Sequence, residues 1–261
     1  MHVFDLFSLK GKVALITGGY GLYGSQLTEA LAEAGATVIT ASRTLDKNES
    51  YAASLRAKGY EVYADAFDQS DEESILSLRD RLIEKYGKVD ILVNNSVLRC
   101  VRDFNGPAEN FRQSLEVNGT GLFLISRAFG NHMMERGSGS IINIGSYMGI
   151  LGVNDTLYED APSISSRVCP DYYFHKGGMT NLTRFLAGYY GPSGVRCNCL
   201  ALGGLFSGQP EEFIKQYKKA TFLGRMAKED DIKGMIVYLA SDASAYTTGA
   251  VIPIDGGYSA K

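Results

Sequence analysis

The most informative segment of the chain is Thr17-Gly18-Gly19-Tyr20-Gly21-Leu22-Tyr23-Gly24. It follows the apolar run Val13-Ala14-Leu15-Ile16 and leads into a segment with helical periodicity. Gly18 permits a tight turn, Gly21 lets a pyrophosphate approach the backbone, and Gly24 lets the helix pack closely on the strand. A helix N-terminus also offers unpaired N–H groups and a partial positive charge to phosphates. The pattern therefore predicts a dinucleotide-binding turn, against the alternative of a tight turn with no ligand.

Outward from this turn, short β-branched runs alternate with helical-period segments along nearly the whole chain. Strands are predicted at residues 13–17, 37–41, 61–64, 91–94, 140–144, 195–199 and 251–254. Helices are predicted at residues 22–34, 48–58, 71–86, 108–135, 171–190, 211–219 and 229–239. Such alternation is typical of βα units around a parallel sheet. It predicts one α/β domain over residues 1–261, a doubly wound Rossmann fold with a seven-stranded parallel sheet and helices on both faces.

One segment, at about residues 150–170, breaks the alternation. It contains Gly152, Asn154, Pro162 and several hydroxyl side chains, and it has no helical period. Loops of this length inside compact domains are usually functional or disordered. We predict that it is an insertion forming part of the substrate wall.

Charge and composition narrow the classes of partner. The net charge is −3, with acidic and basic residues interspersed, so we expect a small-molecule substrate and neither nucleic acid nor membrane as a partner. The apolar runs are far shorter than the roughly 20 residues of a membrane helix, and the start lacks a secretory pattern, so a cytoplasmic location is expected. The four cysteines are expected to be reduced. Three scattered histidines and no Cys-x-x-Cys predict no metal site.

The end of the second predicted strand bears on the choice of cofactor. An acidic residue there binds the ribose 2′-hydroxyl of NAD, whereas an arginine accepts the 2′-phosphate of NADP. This strand ends Ala41-Ser42-Arg43, and Arg43 with Ser42 can hold a phosphate by charge-assisted hydrogen bonds. The sequence therefore favours NADP, with NAD possible and with a solvated Arg43 as the alternative.

Tyr172 and Lys176 lie four residues apart, on one face of a predicted helix. A free phenol titrates near pH 10, and bringing it close to neutrality requires about 4 kcal/mol of preferential stabilisation of the phenolate. An ammonium about 4 Å away, at an effective dielectric constant near 20, supplies about that much. We therefore predict that Tyr172 is a general acid or base. Tyr173 is the alternative if the spacing argument fails.

With these residues in place, the chain resembles the short-chain dehydrogenase/reductase family over essentially its whole length. Besides the glycine-rich turn and Tyr172-x-x-x-Lys176, the matching pieces are Asn94-Asn95, Asn118 in Val117-Asn118-Gly119, Ser146 after Ile144-Gly145, Gly203-Gly204-Leu205, and Thr248-Gly249 to Asp255-Gly256-Gly257. The resemblance implies an NAD(P)-dependent oxidoreductase of the compact branch. It also implies a homo-oligomer, a tetramer or a dimer, formed through the helices after the fourth and fifth strands.

The resemblance also implies a role for each matching residue. Ser146 is expected to hydrogen-bond the substrate oxygen, Tyr172 to exchange its proton, Lys176 to lower the pKa of Tyr172 and hold the nicotinamide ribose, and Asn118 to position a water linking Lys176 to solvent. Asp65 is expected at the adenine. The full set of predicted cofactor contacts is Thr17, Gly18, Gly21, Leu22, Gly24, Ser42, Arg43, Asp65, Ala66, Asn94, Ser96, Tyr172, Lys176, Gly203 and Leu205. The alternatives are that Ser146 caps a strand end, that Asn118 is an interior amide and that Asp65 belongs to a loop.

Several positions depart from the family pattern. Leu22 stands where the compact branch has its middle glycine, and Asn94-Asn95-Ser96-Val97 replaces Asn-Asn-Ala-Gly. Leu202 replaces a usual proline, and the interval between Ser146 and Tyr172 is about twice the usual one. These departures bear on the substrate more than on the chemistry.

The predicted substrate is a secondary alcohol on a sugar or sugar derivative, or the corresponding ketone. Polar and aromatic residues in and near the insertion support this: Tyr147, Asn154, Tyr158, Glu159, Asp160 and Ser163. The predicted substrate contacts are Ser146, Tyr147, Tyr158 and Tyr172, and the pattern resembles bacterial members that modify surface polysaccharides or flagellin sugars. The alternatives are a 3-ketoacyl-carrier-protein reductase, a nucleotide-sugar epimerase or dehydratase, and a non-catalytic cofactor-binding module.

Overall fold

The strands form where short apolar runs are buried between two layers of helices. The computed structural model describes residues 2–159, 161 and 169–261. The strands in these residues are β1 Val13–Thr17, β2 Thr37–Ser42, β3 Val62–Ala66, β4 Ile91–Asn94, β5 Gly139–Ser146, β6 Val195–Leu202 and β7 Val251–Ile254. They form one sheet in the order β3-β2-β1-β4-β5-β6-β7, and every neighbouring pair is parallel. The predicted seven-stranded parallel sheet is confirmed.

Helices cover both faces of this sheet, as predicted. They are α1 Leu22–Glu33, α2 Leu45–Arg56, α3 Glu72–Tyr86, α4 Ala108–Leu115, α5 Gly121–Arg136, α6 Pro170–Tyr190, α7 Glu211–Ala220 and α8 Lys233–Ala240. Because side chains alternate between the faces of a strand, Ala14 and Ile16 of β1 pack in a core cluster with residues of α1, α2 and α8. Val13 and Leu15 pack with residues of α3, α5 and α6 on the opposite face. The doubly wound Rossmann architecture follows from these two layers.

The strand order reverses between β1 and β4. The chain runs from β1 outward to β3 and then returns to place β4 on the other side of β1. Ligands of open α/β sheets bind beside such a reversal, at the carboxyl ends of the strands. The glycine-rich turn after β1 and the loop after β4 therefore meet at the expected site.

Two element boundaries differ from the prediction in ways that matter for the site. The single helix predicted at residues 108–135 is divided by a π-helical turn, Glu116–Thr120, which lies between α4 and α5 and contains Asn118. Strand β5 extends to Ser146 and pairs there with Leu202, the last residue of β6. The longer strands place Ser146 at the carboxyl edge of the sheet instead of in a loop.

The structure also bears on the predicted thiols, on membrane-spanning helices and on the predicted insertion. All four cysteines fall within the described ranges, and each is a free thiol. No helix among residues 2–159 and 169–261 is both long and apolar enough to cross a bilayer. Within the predicted insertion, Asn154 caps a short 3-10 turn, Asp155–Leu157. Asp160 and Ser163, predicted near the substrate, lie outside the described residues.

Candidate active site

A cavity of about 620 Å³ runs along the carboxyl ends of the strands. Ser42, Arg43 and Asp68 line one end, beyond β2 and β3. The glycine-rich turn lines the middle, and Ser146 and Tyr172 line the other end. One continuous cavity therefore joins the predicted phosphate-binding turn to the predicted proton donor.

The turn after β1 is held in its shape by the backbone and by the loop after β4. Gly18 has φ +64°, a conformation that favours glycine. The Thr17 Oγ1 accepts hydrogen bonds from the N–H groups of Asn95 (3.0 Å) and Ser96 (2.9 Å). The Asn95 Nδ2 donates to the carbonyl oxygens of Thr17 and Gly18 at 3.0 and 2.9 Å. These bonds fix the turn against β4.

The residues around this turn fit the phosphates of a dinucleotide. The N-cap of α1 is Gly21, which has no side chain to occupy the unpaired N–H groups of the helix N-terminus. A Cβ added at Gly24 would lie 2.2 Å from the Gly18 carbonyl oxygen, so the helix approaches the turn as closely as glycine allows. A helix N-terminus open in this way binds anions through its N–H groups and its dipole.

At the other end, the phenol of Tyr172 lies beside two cations. The Lys176 Nζ is 5.7 Å from the centroid of the Tyr172 ring, and the Arg99 guanidinium carbon is 4.3 Å from it. Lys176 is buried, and its Nζ donates to the Ile144 carbonyl oxygen at 2.5 Å, which fixes the ammonium below the ring. Burial lowers the pKa of Lys176, although the Tyr172 phenolate opposes this effect.

The pKa values separate Tyr172 from the other tyrosines of the cavity. Burial tends to raise the pKa of Tyr172, but the Lys176 ammonium, the Arg99 guanidinium and a hydrogen bond from Ser146 outweigh it, so the pKa lies below its ordinary value. Four other described tyrosines of the lining have their pKa raised by burial: Tyr23, Tyr147, Tyr158 and Tyr217. Burial also raises the pKa of Tyr173 to about 12. Tyr173, the alternative phenol, therefore gives up its proton much less readily than Tyr172 and stays protonated near neutral pH.

Comparison with known proteins places this site in a family. Residues 23–259 match a family model described as enoyl-(acyl carrier protein) reductase. The chain is 32% identical over 265 residues to 2-dehydro-3-deoxy-D-gluconate 5-dehydrogenase of Bacillus subtilis (strain 168), which covers 98% of each chain. It is 30% identical over 264 residues to gluconate 5-dehydrogenase of Gluconobacter oxydans (strain 621H), covering 97% of this chain and 96% of the other. The chain belongs to the short-chain dehydrogenase/reductase family.

A solved structure supports the same assignment. The crystal structure of a gluconate 5-dehydrogenase from Burkholderia cenocepacia J2315, in complex with NADP and tartrate, superposes with a TM-score of 0.90 at 28% identity and covers 100% of both chains. As a short-chain dehydrogenase/reductase, the protein is an NAD(P)-dependent oxidoreductase that interconverts a secondary alcohol and a ketone.

Most of the predicted site residues line the cavity. They are Gly18, Gly21, Leu22, Gly24, Ser42, Arg43, Ser96, Ser146, Tyr147, Tyr158, Tyr172, Lys176, Gly203 and Leu205. Thr17 lies behind the lining and positions the backbone of Asn95 and Ser96. Asn94 also lies behind it, where its Nδ2 donates to the Ser126 Oγ and the Asn143 Oδ1. These two act on the cavity through the β4 loop.

Asp65 and Ala66 require a correction, because neither lines the cavity. Strand β3 continues to Ala66, and Asp65 turns its carboxylate to Arg81 on α3 at 2.8 Å and to its own neighbour's N–H. Asp68, just after the strand, lines the cavity instead. A hydrogen bond from Ser70 holds the pKa of Asp68 below its ordinary value, with a smaller contribution from Arg43. Asp68 therefore occupies the position that the sequence assigned to Asp65.

Asn118 uses its side chain to hold the loop after β4. Its Oδ1 accepts from the Leu98 N–H at 2.8 Å, and its Nδ2 donates to the Leu98 carbonyl oxygen at 2.8 Å and to the Ser114 Oγ at 3.0 Å. Both amide hydrogens are therefore used. The expected water between Lys176 and solvent stays a prediction, and the structure describes Asn118 as a buried amide in a π-helical turn.

Sequence reasoning missed three groups of the cavity. Arg99 stacks on the Tyr172 ring. The Tyr23 hydroxyl donates to the Gly203 carbonyl oxygen at 2.9 Å, and the Tyr217 hydroxyl accepts from the Gly204 N–H at 2.6 Å. The two tyrosines hold the loop after β6 from opposite sides. Tyr23 could have been found from its place within the glycine-rich turn, whereas no local pattern singles out the other two.

His175 gives a testable prediction of stability. Its ring packs edge-on against Tyr172 with centroids 5.1 Å apart, and neither ring nitrogen has a partner among the described residues. Burial, aided by the charges of Lys176 and Arg99, lowers the pKa of His175 to about 3. In the unfolded chain, His175 binds a proton near pH 6.5. Below that pH only the unfolded state takes up the proton, so the free energy of unfolding is highest above pH 6.5 and falls as the pH drops toward 3.

We expect His175→Phe to remove this dependence. Between pH 8 and pH 5, the wild-type unfolding free energy should fall by about 2 kcal/mol more than that of the variant. Urea melts at both pH values measure the difference, and the pH 8 comparison controls for packing. Equal losses in both proteins would show that His175 is not held neutral.

Proposed function

We propose that the protein oxidises a secondary hydroxyl of a polyhydroxylated, sugar-like substrate and reduces the corresponding ketone, with NADP as the preferred cofactor. The observation that carries the proposal is the phenol of Tyr172, which lies beside two cations on the wall of the cavity that also contains the glycine-rich turn. The proposal assigns catalysis to Ser146, Tyr172 and Lys176.

These residues act on the proton and on the substrate oxygen. Ser146 accepts the Met148 N–H at 3.2 Å. Its hydroxyl hydrogen, which bonds to Tyr172 in the free enzyme, would donate to a substrate oxygen once a substrate is bound. Tyr172, as phenolate, accepts the alcohol proton during oxidation and returns it during reduction. Lys176 stabilises the phenolate by its charge. When bound, the nicotinamide accepts or supplies the hydride at the reacting carbon.

The substrate end of the cavity supports a hydroxylated substrate. Rings that carry hydroxyl groups line it, including Tyr147, Tyr158 and Tyr217. Tyr147 packs on Tyr258 with centroids 4.6 Å apart, and the Tyr258 hydroxyl accepts from the Asn154 Nδ2 at 3.1 Å. Such a wall offers apolar faces and hydrogen-bonding groups together, which suits a sugar better than an acyl chain. The relatives named for gluconate derivatives agree with this proposal.

A substrate panel tests the proposal. Polyols, sugar acids, sugar phosphates, sugar nucleotides, apolar ketones and 3-ketoacyl thioesters are assayed with NADP or NADPH by cofactor absorbance. We expect turnover of hydroxylated substrates. Activity confined to acyl thioesters would instead support the alternative, a 3-ketoacyl-carrier-protein reductase.

The preference for NADP rests on Arg43, which is exposed at the adenine end and lines the cavity with Ser42. We expect Arg43→Ala to raise the KM for NADP at least about tenfold, because hydrogen bonds to charged groups contribute roughly 1.5–3 kcal/mol. The KM for NAD should change much less. Lys47→Ala removes a nearby exposed charge that does not line the cavity and is the control. Equal effects on both cofactors would contradict the preference.

The proposal extends to the assembly and location of the enzyme. Aromatic side chains are exposed on the helices that follow β4 and β5, among them Phe123, Phe174, Phe185 and Tyr189. An apolar surface of this kind supports a homodimer or homotetramer of single-domain chains, which light scattering tests. The free thiols suit a reducing compartment such as the cytoplasm.

A further inference from the structure

We infer that Arg99 binds a carboxylate of the substrate, so that the substrate is a sugar acid rather than a neutral sugar. The inference rests on the proposed function, because it concerns the same cavity and names the charged group of its ligand. The side chain concerned, Arg99, lies beside the Tyr172 phenol.

Arg99 belongs to the loop after β4, and it lines the cavity next to Ser146 and Tyr172. Its guanidinium carbon lies 4.3 Å from the centroid of the Tyr172 ring, so the cation stacks on the ring face. A stacked guanidinium keeps its N–H groups in the plane around its edge, where they remain accessible to a ligand. A group bound there lies close to the oxygen that Ser146 and Tyr172 hold.

Among the described residues, no carboxylate forms an ion pair with the Arg99 guanidinium. The ion pairs between described residues use Arg56, Arg79, Arg81, Arg112, Arg127, Arg136, Arg225 and several lysines. Arg99 is not among them. Because a guanidinium has five N–H donors, contact with the Tyr172 phenol leaves donors for a second partner.

The charges of the cavity also favour an anion at this end. Lys176 and Arg99 are both cations here, whereas the carboxylate that lines the cavity in the described residues, Asp68, lies at the opposite end near Arg43. Lys176 is buried and already bonded to the Ile144 carbonyl oxygen. An anionic substrate group would be attracted to Arg99, the cation at this end of the lining that is not bonded to a backbone carbonyl.

The shape of the group points to a carboxylate. The planar fork of arginine matches the two oxygens of a carboxylate by two parallel hydrogen bonds. Tyr147 and Tyr158 complete the wall with hydroxyl groups and ring faces for the rest of a hydroxylated chain. The predicted ligand is therefore a short polyhydroxy acid with its carboxylate on Arg99 and its reacting hydroxyl on Tyr172.

The test compares gluconate, glucitol and glucitol 6-phosphate as substrates of the wild type and of Arg99→Gln. Loss of the cation changes the acidity of Tyr172 for every substrate, so the informative quantity is the ratio of kcat/KM for gluconate to that for glucitol. We expect this ratio to fall at least about tenfold in Arg99→Gln. Arg79→Gln, on α3 and paired with Asp80, should leave the ratio unchanged.

Binding supplies a readout that does not depend on turnover. With NADP present, gluconate should raise the melting temperature of the inactive Tyr172→Phe protein, and adding Arg99→Gln should abolish that shift. An unchanged gluconate to glucitol ratio, or an unchanged shift, would overturn the carboxylate site. A larger loss for glucitol 6-phosphate than for gluconate would overturn it in favour of a phosphate.

Different results would contradict the carboxylate site and the proposed function. If the wild type turns over glucitol as well as gluconate and Arg99→Gln affects both equally, the sugar-like substrate stands and the carboxylate inference is wrong. If the wild type turns over only acyl thioesters and gluconate produces no thermal shift, the proposed function and this inference are both wrong.

Discussion

Replacing Tyr172 with phenylalanine should lower kcat/KM by about 10²–10⁴-fold, because a positioned general acid or base contributes about that factor. The phenylalanine ring keeps the edge-on contact with His175 and the stack with Arg99, so the fold and the cofactor site should be unaffected. Steady-state kinetics in both directions and a cofactor titration measure the two effects.

Tyr173→Phe provides the matched control. Tyr173 neighbours Tyr172 on α6 and loses the same hydroxyl, but its pKa is raised by burial and its side chain does not line the described cavity. Its kcat/KM should stay close to that of the wild type. Undiminished turnover in Tyr172→Phe would remove the general acid or base from the proposed mechanism.

Replacing Gly24 with alanine should affect both folding and cofactor binding. The added Cβ would lie 2.2 Å from the Gly18 carbonyl oxygen, 2.9 Å from the Asn95 Nδ2 and 3.0 Å from the Gly19 carbonyl carbon. Since two of these atoms are backbone, α1 must move away from the turn. Overpacking of this kind costs about 1–3 kcal/mol, so we expect a melting temperature lower by at least about 2 °C.

The same movement should weaken NADP binding by at least about tenfold, because the phosphates bind to the displaced turn. Melting curves with and without NADP measure this, since bound cofactor stabilises the folded state by mass action. Gly234→Ala is the control: Gly234 lies in α8, and a Cβ there meets nothing within 4 Å. That variant should gain about 0.4–1 kcal/mol. A full cofactor shift in Gly24→Ala would contradict the assigned role of the turn.

The sheet could be predicted from the sequence because its strands are buried on both faces. Val13 to Ile16 reads as a continuous apolar run, and a parallel sheet between helices requires such runs. The glycine-rich turn was equally informative, because Gly18 has a positive φ and Gly24 leaves no room for a Cβ. Tyr172 and Lys176 could be paired because their contact lies within one helix, where spacing alone decides which side chains are neighbours.

Boundaries and distant contacts could not be predicted in this way. The π-helical turn at Glu116–Thr120 leaves the apolar period on both sides nearly unchanged, so the sequence indicates one helix. The sequence predicts Asp65 just after β3 because the predicted strand ends at residue 64. In the structure β3 extends two residues further, to Ala66, and Asp68 follows it. A small error in where a strand ends changes which carboxylate reaches the cavity, since successive side chains point to opposite faces.

Arg99 illustrates a further limit. The residues around Arg99, such as Leu98 and Cys100, match no sequence motif. The contact of Arg99 with Tyr172 depends on how the loop after β4 crosses the cavity. Asn118 fixes that path by bonding to both backbone groups of Leu98. Only the tertiary structure brings the guanidinium to the phenol.

The hydrogen bond from Tyr23 to the Gly203 carbonyl oxygen has a consequence for kinetics. Tyr23 belongs to the first turn of α1, and Gly203 begins the loop after β6, so one hydrogen bond links these two parts of the cavity wall. A dinucleotide that orders the N-terminal turn of α1 should therefore also order the loop after β6. The two reactants should therefore add in a compulsory order, with the dinucleotide binding first and leaving last.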